Sequence, residues 1–464
     1  MHPGDVPGDR SRSELRRQLA SLAIPLAGTQ LSAVALAATN TAMMGRLGVT
    51  ALAAGGLSLV IFNQFRTIGT GLITSVGNEI ASVPSSGSDP RTIASSRSAT
   101  LRAGLLVAGL AGVLGGVIIA ASGGLLMHLG QDAAITAAAS PFLIVLAPGL
   151  LPVLWFQVLR QYAIGMGRPQ SVLAITLCSI ALNIALGSAC ASGWGPLPGL
   201  GLTGIGLAIS VVQFFSCALL AVLVRLDRIL AASLTFSLWK VTQQDMVKIL
   251  RHGYKIAATF GSTSFFYLGV AFLMGAISPL ALAAHNVVYQ VFSIGFQLAN
   301  GLSQASSIVI SRLWSVKDMA SSTYTNAVSL VAIGVVTAFL GVSYVVLPEI
   351  PLAIFAAGEA AELATAVRAL LVVALGAQVA EGCQNISVGV LRGLGDTSSS
   401  LRFSLVGCWL VGLPTALLLA FPLGLGAVGI WLGITVGLAF VGLALQRRIR
   451  CTLRPARTQP SPSR

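Results

Sequence analysis

Charge is what this chain has least of: only 9% of its 464 residues are Asp, Glu, Lys or Arg. A water-soluble domain carries about 25%, and 55% of this sequence is hydrophobic with mean hydropathy +0.86, so it is a polytopic membrane protein. Histidine is nearly absent, and the four present (His2, His128, His252, His285) are scattered, so no metal site is expected. The six cysteines (Cys178, Cys190, Cys217, Cys383, Cys408, Cys451) contain no CxxC pair and fall mostly in apolar runs, where they read as small core residues. A Walker motif is missing, which argues against an ATP-driven pump within this chain. The Gly-x-Gly strings at 165–167 and 393–395 follow no strand and are turns. An aspartate-rich Mg²⁺ motif, a paired-aspartate site and a His-rich site are all missing, which argues against an intramembrane enzyme. No resident cofactor is expected.

What is present is apolar sequence in long runs. A membrane span needs about 20 such residues. Runs near 20–44, 53–79, 103–122, 137–159, 171–191, 203–225, 252–273, 281–310, 325–347, 364–390, 402–420 and 427–445 give about twelve spans. They are continuous, without apolar/polar alternation, so they are helices and not barrel strands. The net charge of +14 follows from topology. Arg10, Arg12, Arg16 and Arg17 precede span one; Arg91, Arg97 and Arg102 fall between spans two and three, and Arg160 and Arg168 between four and five. Arg225, Arg228, Lys240, Lys248 and Arg251 surround the central connection, Arg312 and Lys317 follow span eight, Arg392 and Arg402 follow span ten, and six arginines lie between Arg447 and Arg464. The alternate loops hold little besides Arg46, which is the positive-inside pattern with both termini cytoplasmic. A nucleic-acid partner is not needed to explain the basic charge. The N-terminus shows no cleavable signal pattern.

The expected order is a cytoplasmic segment 1–18, a first lobe 19–225, a connection 226–248, a second lobe 249–446 and a basic disordered tail 447–464. Trp239 and Lys240 suit a helix lying on the membrane surface within the connection. The two lobes repeat each other. Ala51-Leu52-Ala53-Ala54 returns as Ala281-Leu282-Ala283-Ala284, Gly165-Met166-Gly167 as Gly393-Leu394-Gly395, and Gly201-Leu202-Thr203-Gly204-Ile205 as Gly426-Ala427-Val428-Gly429-Ile430. Duplicated helix bundles with substrate held between the halves are the usual build of secondary transporters. The sequence therefore predicts an all-α integral membrane protein of two pseudo-symmetric six-helix lobes. Pro25 in span one and Pro141, Pro148 and Pro152 in span four kink their helices, as static bends or as hinges.

One carboxylate lies well inside a span: Glu381. A carboxyl in hydrocarbon is easier to hold once a proton or cation neutralises it, which makes Glu381 the candidate coupling group, ahead of a purely structural role. Gln378, Gln384 and Asn385, at i−3, i+3 and i+4, share its helical face. Arg66 falls mid-span beside Asn63 and Gln64. It is a structural partner for Glu381 or a backbone carbonyl, a docking charge for an anionic substrate, or evidence of a shifted span boundary, the structural reading being favoured. Asn40 and Asn183 are interhelical glue or substrate ligands, glue being favoured.

Ile24-Pro25-Leu26, Thr41 to Gly48 (TAMMGRLG), Ser75-Val76-Gly77-Asn78-Glu79, Gly165-Met166-Gly167-Arg168-Pro169, Ala283-Ala284-His285-Asn286 and Gly389 to Thr397 (GVLRGLGDT) together resemble the multidrug and toxic compound extrusion (MATE) family over essentially the whole chain. The resemblance implies two lobes around a central cleft and export of organic compounds driven by a proton or sodium gradient. By that resemblance Glu381 is the family acid of span ten, Asn183 the asparagine of span five and Thr203 a span-six threonine. The acids of spans one and seven fall at Asn40 and near Thr263, and a second span-five acid near Gly187, so the first lobe is stripped of its carboxylates. Coupling should then rest on Glu381, and the cargo is expected to be a neutral or anionic organic compound with Arg66 as counter-charge. The chain is expected to act as a monomer in the bilayer. A lipid-linked saccharide flippase is the alternative, although its pyrophosphate would call for several cationic residues where only Arg66 qualifies.

Overall fold

The computed structural model describes residues 12–83, 89–126, 133–168, 170–193, 199–231, 241–346 and 361–453. Every regular element among them is helical. In chain order these are α1 (Arg12–Gly45), α2 (Val49–Ile73), α3 (Ser75–Ser82), α4 (Pro90–Leu125), α5 (Ala133–Leu146), α6 (Leu150–Gly165), α7 (Gln170–Ser192), α8 (Gly201–Leu226) and α9 (Arg228–Ala231). The second half holds α10 (Gln243–Ile277), α11 (Pro279–Ser315), α12 (Met319–Val346), α13 (Ala361–Gly393), α14 (Thr397–Leu405), α15 (Leu413–Ala420) and α16 (Gly426–Leu453). Eleven described helical segments are long and apolar enough to cross a membrane. The twelfth span expected from sequence is α11, which is 37 residues long but interrupted by Asn286, Gln290, Gln297, Asn300 and Gln304. The stripes that bilayer lipid covers are evident elsewhere: Leu110, Val113, Leu114 and Val117 form one exposed apolar face of α4, at the i, i+3, i+4, i+7 spacing of a helix side.

Two departures from the expected boundaries have local causes. The last helix continues to Leu453, so residues 447–453 are helical and not tail; Arg448 is anchored there by its Nε donating to Asp396 Oδ2 at 2.9 Å. Span four breaks at a 3₁₀ turn, Ala147–Gly149, because Pro148 has no N–H to continue the ladder. The Ser210 hydroxyl of α8 donates to the Val145 carbonyl at 2.7 Å, satisfying a group that hydrocarbon would leave bare. The surface helix expected around Trp239 and Lys240 lies outside the described residues, as do His128, Asp132 and everything after Leu453.

The chain divides into two compact units, residues 22–272 and residues 273–464 joined by the stretch up to Ser21. Helices α1 and α10, which open the two sequence repeats, are each shared between units. The start of α1 is fixed in the second unit, where Arg16 Nε donates to Tyr324 Oη at 2.6 Å and both Arg12 and Arg16 stack over the Tyr324 ring. Most of α10 belongs to the first unit. Lys248 pairs with Glu79 at 2.5 Å, and Gly71 lets α2 approach so closely that a methyl there would lie 2.5 Å from Ala257 Cα.

Within each unit the repeat is visible atom by atom. The turn after α6 is closed by Met166 N–H to Tyr162, Gly167 N–H to Ile164 and Arg168 N–H to Ala163. The turn after α13 is closed by Leu394 N–H to Val390, Gly395 N–H to Arg392 and Asp396 N–H to Leu391, all six residue numbers shifted by 228. Gly167 (φ 84°) and Gly395 (φ 80°) supply the left-handed step that both turns need.

Candidate functional site

The second unit carries the coupling candidate. Glu381 sits on α13 at 2% exposure, and its Oε2 has no hydrogen-bond partner. Gln378, fully buried one turn earlier, has neither its Nε2 nor its Oε1 satisfied, and the Oε1 of buried Gln384 is also without a partner. Gly295 of α11 makes room for the Gln378 amide: a methyl there would lie 2.5 Å from its Cδ. Asn385 is half-buried, and its backbone carbonyl accepts from the Ser303 hydroxyl at 2.6 Å. The polar face read from the sequence is therefore real for Gln378, Glu381 and Gln384, while Asn385 joins through its main chain.

Around this core lie groups that the sequence reading passed over. Tyr289 stacks with His285 (5.8 Å between centroids), which in turn meets Trp431 (5.7 Å). The Nδ1 of His285 and the Nε1 of Trp431 are buried without partners. Gln446 donates to Ser387 Oγ at 2.9 Å and exchanges bonds with Asn326, a second polar seam between α12, α13 and α16. A signal was available for His285 and Tyr289, since both lie on one face of the unusually polar α11. Trp431, Gln446 and Asn326 could be placed only by tertiary packing. No group of three or more His, Cys, Asp or Glu that could hold a metal occurs among the described residues.

The first unit is different in character. Asn183 Nδ2 donates to Asn40 Oδ1 at 2.7 Å, so these two predicted residues do meet, each buried. The Thr263 hydroxyl instead donates to the Thr259 carbonyl of its own helix at 2.9 Å, and Thr203 stands half-buried in the first turn of α8. Gly187 lies directly under the Met43 methyl, so apolar packing fills the position where the family pattern has an acid. Arg66 donates through Nε to Asn63 Oδ1, one turn earlier on α2, at 3.0 Å.

Two arginines assigned by sequence to the cytoplasmic flanks are interior. Arg160 and Arg392 are each 6% exposed. Arg160 reaches Gln157 Oε1 through Nη1 and Gln30 Oε1 through Nη2, both at 3.2 Å. The two arginines lie five residues and one residue before the ends of α6 and α13, which made them look like boundary charges, yet both side chains are buried within the protein.

The family model described as MatE matches residues 25–188 and, a second time, residues 256–418. The chain belongs to the MatE family. It is a membrane transporter and not an enzyme. Among curated relatives of this MATE chain, a probable multidrug resistance protein NorM from Pseudomonas aeruginosa is 32% identical over 428 residues, covering 91% of this chain and 87% of the relative. One of the same description from Bradyrhizobium diazoefficiens is 33% identical, covering 92% and 91%. The fold is shared with the eukaryotic MATE transporter AtDTX14 (19% identity, TM-score 0.82, covering 96% of this chain and 100% of that one). It is shared also with the Vibrio cholerae MATE transporter VcmN (17% identity, TM-score 0.84, covering 96% and 98%). The two-fold match to one family model is the duplication that the turn geometry displays.

Proposed function

We propose that this MATE chain is a secondary antiporter that exports small organic compounds across the cell membrane by alternating access, coupled to a proton or sodium gradient. The observation that carries the coupling role is Glu381, a carboxylate buried among helices with one oxygen unpartnered, one turn from Gln378, whose amide lacks partners at both atoms, and from Gln384, whose amide oxygen lacks one. An ionisable group held this way at membrane depth is costly unless it takes up a proton or a cation, and that uptake is what a gradient can drive. Gln378, with both amide atoms unpartnered, can supply either a donor or an acceptor, so the site accommodates the carboxyl in both its neutral and its charged form. The Asn40–Asn183 bond leaves the first unit without an ionisable group at the corresponding site, and coupling then falls to Glu381 alone. The names of the NorM relatives support drug or metabolite efflux as the task. The distribution of arginine supports cytoplasmic termini, and a monomer suffices for this mechanism.

The deciding experiment is uptake by proteoliposomes of one fluorescent cation and one fluorescent organic anion under an imposed pH or sodium gradient. Wild type should accumulate dye with the gradient, and Glu381→Gln should abolish the gradient dependence. Undiminished gradient-driven uptake in the variant would make Glu381 structural.

A further inference from the structure

We propose that the first unit binds a phosphate-bearing ligand, a phosphate monoester or diester, in an open cavity at the helix ends that the arginine distribution assigns to the cytoplasm. The cavity measures about 460 Å³ and lies between α3, the start of α4 and the start of α10. Sites for small organic molecules span roughly 300–1,000 Å³, so a sugar- or glycerol-sized phosphate ester fits. None of its lining residues has a part in the coupling reading.

One wall is a single face of α4. Arg91, Thr92, Ser95 and Ser96 recur at i, i+1, i+4 and i+5, and all four are exposed. Neither the Arg91 guanidinium nor the three hydroxyls has a hydrogen bond or ion pair among the described residues. The other walls bring Glu79 from α3 and Asp245 and Lys248 from α10. Both acids are already engaged. Glu79 Oε2 lies 2.5 Å from Lys248 Nζ, and its Oε1 lies 3.8 Å from His252 Nδ1. Asp245 Oδ2 accepts from the Thr242 hydroxyl at 2.6 Å, at the start of α10.

What the cavity has left to offer is therefore a guanidinium and three hydroxyls, and the ligand that uses them is an oxyanion. Arginine meets two anionic oxygens in a forked geometry. A carboxylate would use up its oxygens on that fork, whereas a phosphate keeps further oxygens for the hydroxyls. The electrostatics agree in sign. Arg91, Thr92 and Asp245 stand in the first turns of α4 and α10, so the cavity lies beside the positive ends of two helix dipoles. A cationic ligand would meet Arg91 where both carboxylates are taken. The same phosphate chemistry is presented by a free ester in solution and by a phospholipid headgroup.

Calorimetric titration of glycerol 3-phosphate into the purified full-length protein tests the site. Native mass spectrometry of the same protein with phosphatidylglycerol or phosphate-free diacylglycerol separates the two sources. Glycerol 3-phosphate should bind saturably, and Arg91→Gln should weaken it about tenfold or more, the worth of one hydrogen bond to a charged group. Ser95→Glu, which sets a carboxylate on the same wall, should abolish binding. Arg228→Gln removes an exposed arginine of α9 that does not line the cavity, and it should leave binding unchanged. Phosphatidylglycerol retained in preference to diacylglycerol and lost in Arg91→Gln, with no binding of glycerol 3-phosphate, would keep the phosphate site and make a lipid its source. Absence of Arg91-dependent binding for both phosphate compounds overturns the site. An equal loss in Arg228→Gln also overturns it, since diffuse surface charge would then account for the binding.

Discussion

Asn40 and Asn183 satisfy one another through a single 2.7 Å bond, and both are buried. Removing one partner leaves the other's amide stranded, which costs about 1–3 kcal/mol. Asn183→Ala should therefore lower the thermal unfolding temperature of the detergent-purified protein, and the double change Asn40→Leu/Asn183→Leu should recover part of the loss. Equal destabilisation by the single and double variants would show that the pair is not coupled. Gly295 makes a second residue-scale case. Gly295→Ala drives a methyl into the Gln378 amide, so it should impair gradient-dependent uptake while expression and fold are retained. Uptake at wild-type level would mean that the amide has no part in the site. The polar face of Glu381 was legible because three residues at helical spacing interrupt an apolar run. The interior placement of Arg160 was not, because an arginine five residues from a helix end has the same sequence signature whether it snorkels outward or turns toward buried amides.

At the scale of elements, the two repeats share a clasp with its polarity reversed. Arg168, in the turn after α6, pairs with Asp227 at the end of α8 at 3.3 Å; Asp396, in the equivalent turn after α13, pairs with Arg448 near the end of α16 at 2.9 Å. Burial alone would push the Asp396 carboxyl up, but hydrogen bonds from the Ser399 hydroxyl, Arg448 and the Ser399 backbone outweigh it and hold the group below the usual aspartate value. A depressed folded-state value stabilises the protein above the unfolded value, and that contribution fades as pH falls through the folded one. Wild type should thus be more stable than Asp396→Asn at neutral pH, with the difference shrinking below about pH 4. Thermal unfolding across that range checks it, and a gap that does not change with pH would remove the clasp from the account. The Ser210 bond to the broken span makes a smaller claim: Ser210→Ala should cost about 1 kcal/mol, read from the same unfolding curves.

At the scale of the whole molecule, α10 opens the second repeat yet packs for most of its length in the first unit, and the start of α1 belongs to the second. Gly71 and Gly253 are what permit the α2–α10 contact, since a side chain on Gly253 would run into the Leu72 carbonyl. Backbone cannot yield as a flexible side chain can, so Gly253→Val should abolish the monodisperse folded protein on size exclusion, whereas Gly334→Val, in open space on α12, should not. Membrane insertion, helix count and duplication were set by the sequence alone, because hydrocarbon leaves a long apolar run no option except a helix, and a repeat survives as ordered matches. Glu381 was likewise legible in the sequence, being the single acid well inside an apolar run. What only tertiary structure decided is which polar groups meet: Asn40 with Asn183, Arg160 with Gln30, Gln446 with Asn326, and α10 with the first unit. Those pairings join residues far apart in the chain, and helix periodicity encodes the face of a side chain without encoding its neighbour.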